Sequence, residues 1–442
     1  MVPDSFSKAA AGQDWRSDLD SALADYAGRN WQGREIFLAE RFEAARREIA
    51  RWQAFANEGA ELPPLAGAVM TVKACFDVAG WTASCASRVL ADRPPAQSSA
   101  PLVRRLRQAG ATLLAQTNMT EFAYGALGVN THFGTPRTPL DPADERIAGG
   151  SSSGAAVSVA RGYADFGLSS DTSGSARIPA AFCGVTGFKP SRGRYPTGGM
   201  AWLSTTFDVP GVIARDAALC RRIDTIVTGD TATPALTAAD IRLALPAGFG
   251  AAFDSEVGQI FDACLSALRT AGVTIVEVPL PDLGESARIA AEGGVIGAEA
   301  YHLHSNHLAE ALDKYDPLVG SRLVKGAEIP AHRYIGALRA LEACRIRFDA
   351  ASAGFDGFVL PTVPMLPPTL AELADEDIYL ALNRRSFSLA EFANRLDLPS
   401  ITLPTGAAPV GLMLTGTRGA DRRLLSIAGI LEPIVRITGL HR

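Results

Sequence analysis

A chain of 442 residues is long enough for one large α/β domain or for two to three domains of average size. Hydrophobic residues make up 47% of the sequence, which is sufficient for a sizeable core, and the formal net charge of −5 is small for this length. Acidic and basic residues are interspersed, so the charge pattern excludes a strongly basic surface for nucleic acid or for an anionic membrane.

The sequence indicates a cytoplasmic protein without a bound metal. Residues 1–15 lack the basic stretch and following apolar run that mark a secretory signal. No apolar stretch approaches the roughly 20 residues that a membrane helix needs. The six cysteines are scattered without CxxC spacing. We therefore expect free thiols in a reducing compartment, with neither a disulfide framework nor a zinc site.

Helical periodicity dominates the first part of the chain. Between residues 15 and 57, apolar side chains recur three and four positions apart, most clearly from Ile36 to Ile49. This spacing predicts one or two amphipathic helices that pack on a later core. After turn residues at 62–67, the apolar run 68–72 predicts a buried strand that delivers Lys73 at its end.

The order of helix, glycine and apolar strand then occurs twice. Residues 98–110 predict a helix that stops at Gly110, before a strand at 111–115. Residues 257–268 predict a second helix, which is followed by a glycine and by a strand at 273–278. This alternation indicates an α/β layered fold. We expect a single domain over the whole chain, because no linker-like stretch divides it.

The stretch from 148 to 190 is rich in Gly, Ser and Ala and carries almost no surface-type charge. It predicts a short helix at 154–161, with a capping serine at its start and Gly162 at its end. A brief strand at 166–169 follows, and Pro179 suits the first turn of another helix. Small residues in this density permit close approach of one backbone segment to another.

The second half of the chain continues the α/β pattern. Residues 280–350 are helical and more polar, and they include His302, His304 and His307. Only the last two share a helical face, and no carboxylate or cysteine completes a metal-binding set, so we interpret them as part of a surface or core helix. The remaining predicted elements are strands at 357–362, 401–404 and 409–414 and a closing helix at 421–435.

Two serine-bearing glycine turns, GGSSSG at 149–154 and DTSGS at 171–175, expose hydroxyl and amide groups together. A serine becomes a nucleophile when a base removes its proton and a preformed site stabilises the oxyanion. No histidine lies in or beside these turns. A lysine can replace it when burial leaves the amine neutral, and Lys73 is the candidate.

The combination of Lys73, GGSSSG with Ser151, and DTSGS with Ser175 resembles the amidase signature family of serine hydrolases. TNMTEF at 117–122, CGVTGFKP at 183–190 and LPT at 360–362 support the resemblance, which covers roughly residues 60 to 435. It implies a large mixed central β-sheet covered by helices on both faces. It also implies hydrolysis of a small carboxamide to an acid plus ammonia or an amine, without metal or organic cofactor.

The resemblance further implies a Ser–cisSer–Lys triad. Ser175 matches the nucleophile and Lys73 the general base. Ser151, after a cis peptide bond from Gly150, matches the serine that relays the proton. The backbone N–H groups that match the oxyanion hole are those of Thr172, Ser173, Gly174 and Ser175. The sequence departs from the family at two positions: Ala74 replaces an aspartate, and Ser173 replaces a glycine, which would add strain if φ there were positive.

Substrate-binding candidates are less well defined. They are Met119, Tyr124, Gly125, Arg177, Met200 and Trp202. For Arg177 the alternative is a buried structural ion pair. For Met200, Trp202 and the nearby Phe207 the alternative is core packing.

The flanking segments resemble aryl-amide hydrolases such as indoleacetamide and mandelamide hydrolases. Three alternatives stay open. The chain could be a glutaminase like the A subunit of glutamyl-tRNA amidotransferase, or a hydrolase of urea-derived amides such as allophanate or carboxybiuret, each working with a companion chain. It could also be an inactive relative kept as a scaffold. A homodimer is compatible with every one of these interpretations.

Overall fold

The computed structural model describes residues 14–29, 35–141, 143, 145–232, 235–248, 252–406 and 409–436. Residues 1–13, on which the expectation of no secretory signal rests, lie outside the described residues. Within these described ranges, no helix combines the length and the apolar character required to cross a membrane.

The described strands form one mixed sheet of eleven strands. They are β1 (Phe37–Glu40), β2 (Val69–Lys73), β3 (Thr112–Thr117), β4 (Phe166–Asp171), β5 (Thr186–Lys189), β6 (Val209–Ala214), β7 (Arg242–Pro246), β8 (Thr274–Val278), β9 (Gly357–Pro361), β10 (Ser400–Pro404) and β11 (Gly411–Gly416). Their order across the sheet is β1-β3-β2-β4-β6-β5-β10-β11-β9-β7-β8. β2 is parallel to β3 and β4, and β7 is parallel to β8 and β9. The remaining pairings are antiparallel.

The described α-helices precede, separate and follow these strands along the chain. They are α1 (Trp15–Gly28), α2 (Phe42–Asn57), α3 (Pro101–Gln108), α4 (Ser153–Ala160), α5 (Arg177–Cys183), α6 (Ala217–Thr228), α7 (Ser255–Thr270), α8 (Pro281–Gly293), α9 (Val295–Ala311), α10 (Pro317–Lys325), α11 (Ala331–Ala351), α12 (Glu376–Phe387), α13 (Phe392–Arg395) and α14 (Asp421–Val435). The predicted helix–glycine–strand units are confirmed as α3 with β3 and α7 with β8. The polar helical region of the second half comprises α8 to α11.

Helices cover both faces of the sheet, as the α/β interpretation predicts. In β11, Leu412 and Leu414 belong to the core cluster that also contains Leu425 of α14. Met413, between them, belongs to a different cluster together with Phe348 of α11. Successive residues of a strand point to opposite faces, so each face has its own helical layer.

The segment Phe37–Glu40 is a strand where the sequence predicts a helix. It forms β1, and α2 begins only at Phe42. β1 pairs antiparallel with β3, and the N–H of Asn118 donates to the C=O of Ile36 at 2.8 Å. Pairing with the edge of β3 satisfies backbone groups of this segment and overrides the helical periodicity. The helix prediction is therefore wrong here.

Parallel pairing of β2 with β4 brings two polar residues to one edge of the sheet. Lys73 is the last residue of β2, and Asp171 is the last residue of β4. The two strands run in the same direction, with Val72 beside Leu168. Carboxyl ends of neighbouring parallel strands open at the same edge. The turn that follows Asp171 is therefore held close to the lysine.

β3 contains one more residue than β2 along their shared ladder. Met70 pairs with Leu113, whereas Thr71 pairs with Ala115. Leu114 is therefore the extra residue, and it is fully buried. A one-residue offset of this kind shifts the alternation of side chains in one strand relative to the other.

Helix α4 follows the first glycine-serine turn and packs closely against neighbouring backbone. A Cβ atom at Gly154 would lie 2.5 Å from the C=O oxygen of Ile36, so only glycine fits there. Ser152 occupies the N-cap position, but its side chain makes no capping hydrogen bond. Its hydroxyl instead donates to the C=O of Ser170 at 3.4 Å. A serine therefore occupies the predicted cap position, but its side chain does not cap the helix.

Candidate active site

Lys73 lies at the end of β2 without exposed surface and beside two hydroxyl groups. Its Nζ is 2.7 Å from Ser151 Oγ and 2.9 Å from Ser170 Oγ. Burial disfavours the ammonium form and lowers the pKa of Lys73 from its ordinary value, although Cys75 and Asp208 act in the opposite direction. A neutral amine can accept a proton from a hydroxyl group, so this lysine can act as a base.

The first glycine-serine turn holds Ser151 by its backbone on both sides. The peptide bond between Gly150 and Ser151 is cis. The N–H of Gly150 donates to the C=O of Ala126 at 2.7 Å, and the C=O of Ser151 accepts from the N–H of Thr120 at 3.0 Å. Ser151 is fully buried. These contacts fix its hydroxyl at the Lys73 amine.

Ser175 comes from the second turn, which follows β4. It is 6% exposed and lines a cavity. The N–H of Ser152 donates to the C=O of Ser175 at 3.2 Å, so the two turns are joined directly. Three separate segments of the chain therefore contribute Lys73, Ser151 and Ser175 to one place.

Asp171 organises the second turn through its carboxylate. It accepts from the N–H groups of Gly174 at 2.8 Å and Ala176 at 3.1 Å. Arg177 binds both oxygens, at 2.9 and 3.1 Å, and Asn394 adds a bond at 3.0 Å. Burial alone would raise the pKa of Asp171, but the adjacent Arg177 guanidinium holds that pKa well below its ordinary value. The carboxylate is therefore charged and fully engaged.

The four predicted oxyanion donors differ in their surroundings. Thr172, Ser173 and Ser175 line the cavity, whereas the N–H of Gly174 is the group that donates to Asp171. Gly174 has a φ of +121°, a conformation that favours glycine. Ser173 does not have a positive φ, so the side chain at this position carries no strain of that kind.

Asp208 is a buried acid at the site that the sequence analysis did not single out. One oxygen accepts from the Thr172 hydroxyl at 2.5 Å. The other accepts from the N–H groups of Leu203 at 2.6 Å and Ser204 at 3.1 Å. Burial raises the pKa of Asp208 to about 6. An acid directly before the apolar run of β6 is the sequence signal that could have identified it.

Glu299 of α9 is a second carboxylate that the sequence analysis missed. It accepts from the hydroxyls of Ser204 and Thr206, and from the N–H of Thr206 at 3.1 Å. Tyr334 of α11 donates to the same carboxylate at 2.7 Å. Glu299 thereby ties the segment before Asp208 to two helices, a long-range arrangement without a local motif.

A cavity of about 580 Å³ opens beside Ser175. This volume is within the range of small-molecule sites. The turn residues form one side of the cavity, and residues of α8, α9, α12 and α13 form much of the rest. These helical walls are not predicted from the sequence, because they lie far from the turns along the chain.

The predicted substrate-binding residues fall into two groups. Tyr124 and Gly125 line the cavity. The other four are buried or half-buried in the core and are not among its described lining residues: Met119, Arg177, Met200 and Trp202. Arg177 instead binds Asp171 and donates to the C=O of Ala390 at 2.8 Å. These contacts match the structural interpretation of this arginine.

Ala74, which replaces an aspartate of the related family, lies fully buried directly after Lys73. Its N–H donates to the C=O of Thr117 at 3.1 Å, and its C=O accepts from the N–H of Cys85 at 3.0 Å. The segment after the lysine is therefore held by backbone bonds that do not depend on the side chain at this position.

The three histidines of α9 form part of a helix that packs on the core. His304 is 5% exposed, and its Nδ1 is 3.0 Å from the hydroxyl of Tyr315. Burial lowers the pKa of His304 to about 4. Among the described residues, no group of three or more His, Cys, Asp or Glu side chains is arranged to hold a metal ion.

The site combines a buried lysine, two linked serine turns and a cavity beside one serine. Together with the family match that follows, it defines a hydrolase of carbon–nitrogen bonds. The family model described as Amidase matches residues 32–425. The chain therefore belongs to the amidase family.

Several relatives cover most of the chain. A 2-amino-5-chloromuconic acid deaminase from Comamonas testosteroni is 31% identical, over 88% of this chain and 86% of the relative. The A subunit of a glutamyl-tRNA(Gln) amidotransferase from Moorella thermoacetica is 32% identical, over 92% and 90%. An indoleacetamide hydrolase from Pseudomonas savastanoi is 31% identical, over 90% and 92%.

A crystal structure of an amidase shares the fold. The TM-score is 0.85 at 32% identity, and the match covers 95% of this chain and 96% of that chain. The mixed α/β architecture that the sequence predicts is confirmed by this likeness and by the eleven-stranded sheet.

Proposed function

We propose that this chain hydrolyses the C–N bond of a small carboxamide through an acyl-enzyme on Ser175. The 2.7 Å contact between Lys73 Nζ and Ser151 Oγ carries this proposal, because it connects a buried base to the first glycine-serine turn, which is hydrogen-bonded to the C=O of the nucleophile Ser175. In this mechanism Ser151 passes the proton of Ser175 to Lys73.

The first half-reaction forms the acyl-enzyme. As the proton leaves through Ser151, Ser175 Oγ attacks the carbonyl carbon of the amide and a tetrahedral oxyanion forms. The ammonium of Lys73 returns the proton through Ser151 to the leaving nitrogen. The C–N bond then breaks, and ammonia or an amine departs while the acyl group stays on Ser175.

The second half-reaction uses water and the same relay. A water molecule gives its proton through Ser151 to Lys73 and attacks the acyl carbon. Collapse of the second tetrahedral intermediate breaks the ester bond, and the proton returns to Ser175. The acid product leaves and the free enzyme is restored, so the kinetics are ping-pong.

The oxyanion is stabilised by backbone N–H groups of the cavity-lining turn residues Thr172, Ser173 and Ser175. Each such donor is typically worth about 2.7–4 kcal/mol of the barrier. We assign no such role to Gly174, whose N–H donates to Asp171 at 2.8 Å. The bond from Thr172 to Asp208 fixes the far end of this turn.

The partner-dependent alternative is favoured by the 32% identity to the A subunit of an amidotransferase. Under that alternative the chain would be a glutaminase that works with a second protein. Purified alone, it would then release little ammonia from any amide. The cytoplasmic location and the homodimer expected from the sequence stay predictions.

A fluorophosphonate label and an amide panel test the proposed function. We expect the label to modify Ser175 and the isolated protein to release ammonia or amine from primary amides or anilides. The Ser175→Ala variant should show neither labelling nor release. Labelling without turnover, together with co-purification of a second chain, would support the partner-dependent alternative. Folded protein that is not labelled at Ser175 would favour the scaffold and contradict the proposal.

A further inference from the structure

The cavity beside Ser175 has a cationic wall. Its described lining residues include four arginines and one acid, Glu391. The arginines are Arg288, Arg322, Arg384 and Arg395. A low-dielectric cleft lined by one sign of charge favours a ligand of the opposite sign.

Arg395 is the most deeply placed of these cations. It is 8% exposed, and its Nη2 forms an ion pair with Glu391 Oε2. Its Nη1 is buried and has no hydrogen-bond partner. A buried charged donor without an acceptor is costly, and an acceptor supplied by a ligand would remove that cost. Arg395 therefore lacks one acceptor, and because Nη1 has no exposed surface, a ligand in the cavity reaches it only after a small rotation of the guanidinium.

The position of Arg395 relates this wall to the nucleophile. The preceding residue, Asn394, donates to the carboxylate of Asp171 at 3.0 Å and to its C=O at 2.9 Å. A Cβ atom on Gly174 would lie 2.8 Å from Ala390 Cβ. The chain segment that carries Arg395 thus packs directly on the turn that ends at Ser175.

The other arginines differ in how free their charges are. Arg288 is paired with Glu285 at 2.8 Å and Glu292 at 2.7 Å, so its charge is neutralised by two acids on the surface. Arg322 lies over the ring of Tyr124 at 4.5 Å, and its Nε donates to the C=O of Leu318 at 2.7 Å. These contacts hold Arg322 in place at the cavity without placing an acid on it.

Arg384, at the end of α12, is exposed, as is Arg288. Together with Arg322 and Arg395 it outnumbers the single lining acid, Glu391. The cavity therefore presents excess positive charge to a bound molecule, and the strongest single contact it offers is the buried guanidinium.

We infer that Arg395 is the centre of an anion subsite, and that the amide substrate carries a carboxylate in addition to the bond that is cleaved. This inference rests on the proposed function and names its substrate class. A small rotation of the guanidinium turns Nη1 toward the cavity, where it binds the carboxylate, while Glu391 holds Nη2. Neutral amides of equal length lack this contact and bind more weakly.

Two matched five-carbon amides test the subsite. Glutaramic acid carries a carboxylate where pentanamide carries a methyl group. For the wild-type protein we expect kcat/KM for ammonia release to be about 10- to 100-fold higher with glutaramic acid, the usual range for a desolvated charge contact. In Arg395→Met this preference should fall to less than about threefold.

Two further variants control for the fold and for general charge. Arg395→Met combined with Glu391→Gln avoids leaving a buried unpaired acid, and it should show the same loss of preference. Arg385→Met removes an arginine that pairs with Asp254 at 2.7 Å and is not among the lining residues. We expect the preference to be unchanged in that variant.

Failure of the subsite is distinguishable from failure of the proposed function. Equal kcat/KM for the two amides would overturn the subsite while leaving the hydrolase in place. If neither amide is turned over, the label decides. Slower labelling of Ser175 in the presence of glutaramic acid than of pentanamide, lost in Arg395→Met, would support the subsite. Equal labelling rates would contradict it, and absence of labelling would contradict both proposals.

Discussion

Two buried ion pairs flank the active site, and they differ in how completely they are satisfied. Asp171 and Arg177 have no exposed surface, and the aspartate also accepts from Gly174, Ala176 and Asn394. The pair of Glu391 with Arg395 is nearly as buried, but one arginine nitrogen has no partner. The first pair lies under the nucleophile turn, and the second lines the cavity.

This difference separates the Asp171–Arg177 pair, which belongs to the framework under the nucleophile turn, from the Glu391–Arg395 pair, which belongs to the wall of the substrate cavity. A satisfied pair has no capacity left for a ligand, and its value lies in the geometry it imposes on a turn. An incompletely satisfied pair that faces a cavity can gain a contact from a ligand. We therefore expect changes near the first pair to affect every substrate, and changes near the second to affect substrate choice.

The largest expected effect is loss of turnover on the framework side. Lys73→Ala should lower kcat by about 10³-fold or more with every amide that is turned over, because base and nucleophile act as a unit. The matched control is Ser153→Ala in the neighbouring turn. Ser153 Oγ is buried without a hydrogen-bond partner, so its removal should change kcat little. Comparable losses in both variants would contradict the proposed relay.

The two pairs should also differ in their contribution to stability. Asp171→Asn leaves the buried Arg177 without its charged partner and should lower the free energy of unfolding by about 3–5 kcal/mol. Glu391→Gln should cost less, because its carboxylate has fewer partners. Urea denaturation of both variants measures the difference. If Asp171→Asn and Glu391→Gln lower the free energy of unfolding equally, the proposed distinction between the two ion pairs is wrong.

A third buried acid, Glu121, shows what happens without an arginine. Its nearest basic group is His132 Nδ1 at 3.8 Å, and burial raises the pKa of Glu121 to about 7. A pKa that folding raises gives stability that is present at low pH and is lost as pH increases through about 7. Glu121→Gln should therefore gain stability relative to wild type between pH 4.5 and 7, by on the order of 2–3 kcal/mol.

Thermal or urea unfolding at several pH values measures this effect. Gln can still accept from the N–H of Asp316, which donates to Glu121 at 2.8 Å. A stability difference that does not change with pH would show that Glu121 is ionised in the folded protein.

The smallest expected effect concerns the pH dependence of turnover. Activity should increase with pH as Lys73 loses its proton, and the increase should be complete below the ordinary pKa of lysine, because burial lowers the pKa of Lys73. The charge of Asp208 opposes this lowering. Asp208→Asn should therefore move the acidic limb to lower pH. A limb that stays in place, or a flat profile, would contradict the role of Lys73 as base.

The sequence predicts the framework side well, for a local reason. A buried strand that ends in lysine, and glycine turns that carry serines, are patterns of adjacent residues. Their register and order then bring Lys73 and Ser151 within 2.7 Å. The same reading fails at β1, because pairing with a strand about 80 residues later, such as Phe37 with Thr117, overrides the local helical spacing.

The wall was not predictable, because it exists only after long-range packing. Arg395 and Arg322 are ordinary arginines in the sequence, and their significance depends on which cavity they line. Asp208 and Glu299 act through contacts between distant segments in the same way. Of the predicted substrate contacts, the two that line the cavity, Tyr124 and Gly125, lie on the same stretch as the recognised TNMTEF motif.

The extra residue of β3 sets the phase between two parts of the catalytic apparatus. Up to Leu113, the side chains of β3 alternate between the two faces of the sheet in register with those of β2. After the extra residue Leu114, the pairing resumes with the alternation of β3 shifted by one residue. β2 ends at the base, whereas β3 leads to Thr120, whose N–H holds the C=O of Ser151. Deleting Leu114 would turn the end of β3 to the other face of the sheet and withdraw that anchor. A single buried leucine thus fixes how the base and the relay are oriented toward each other.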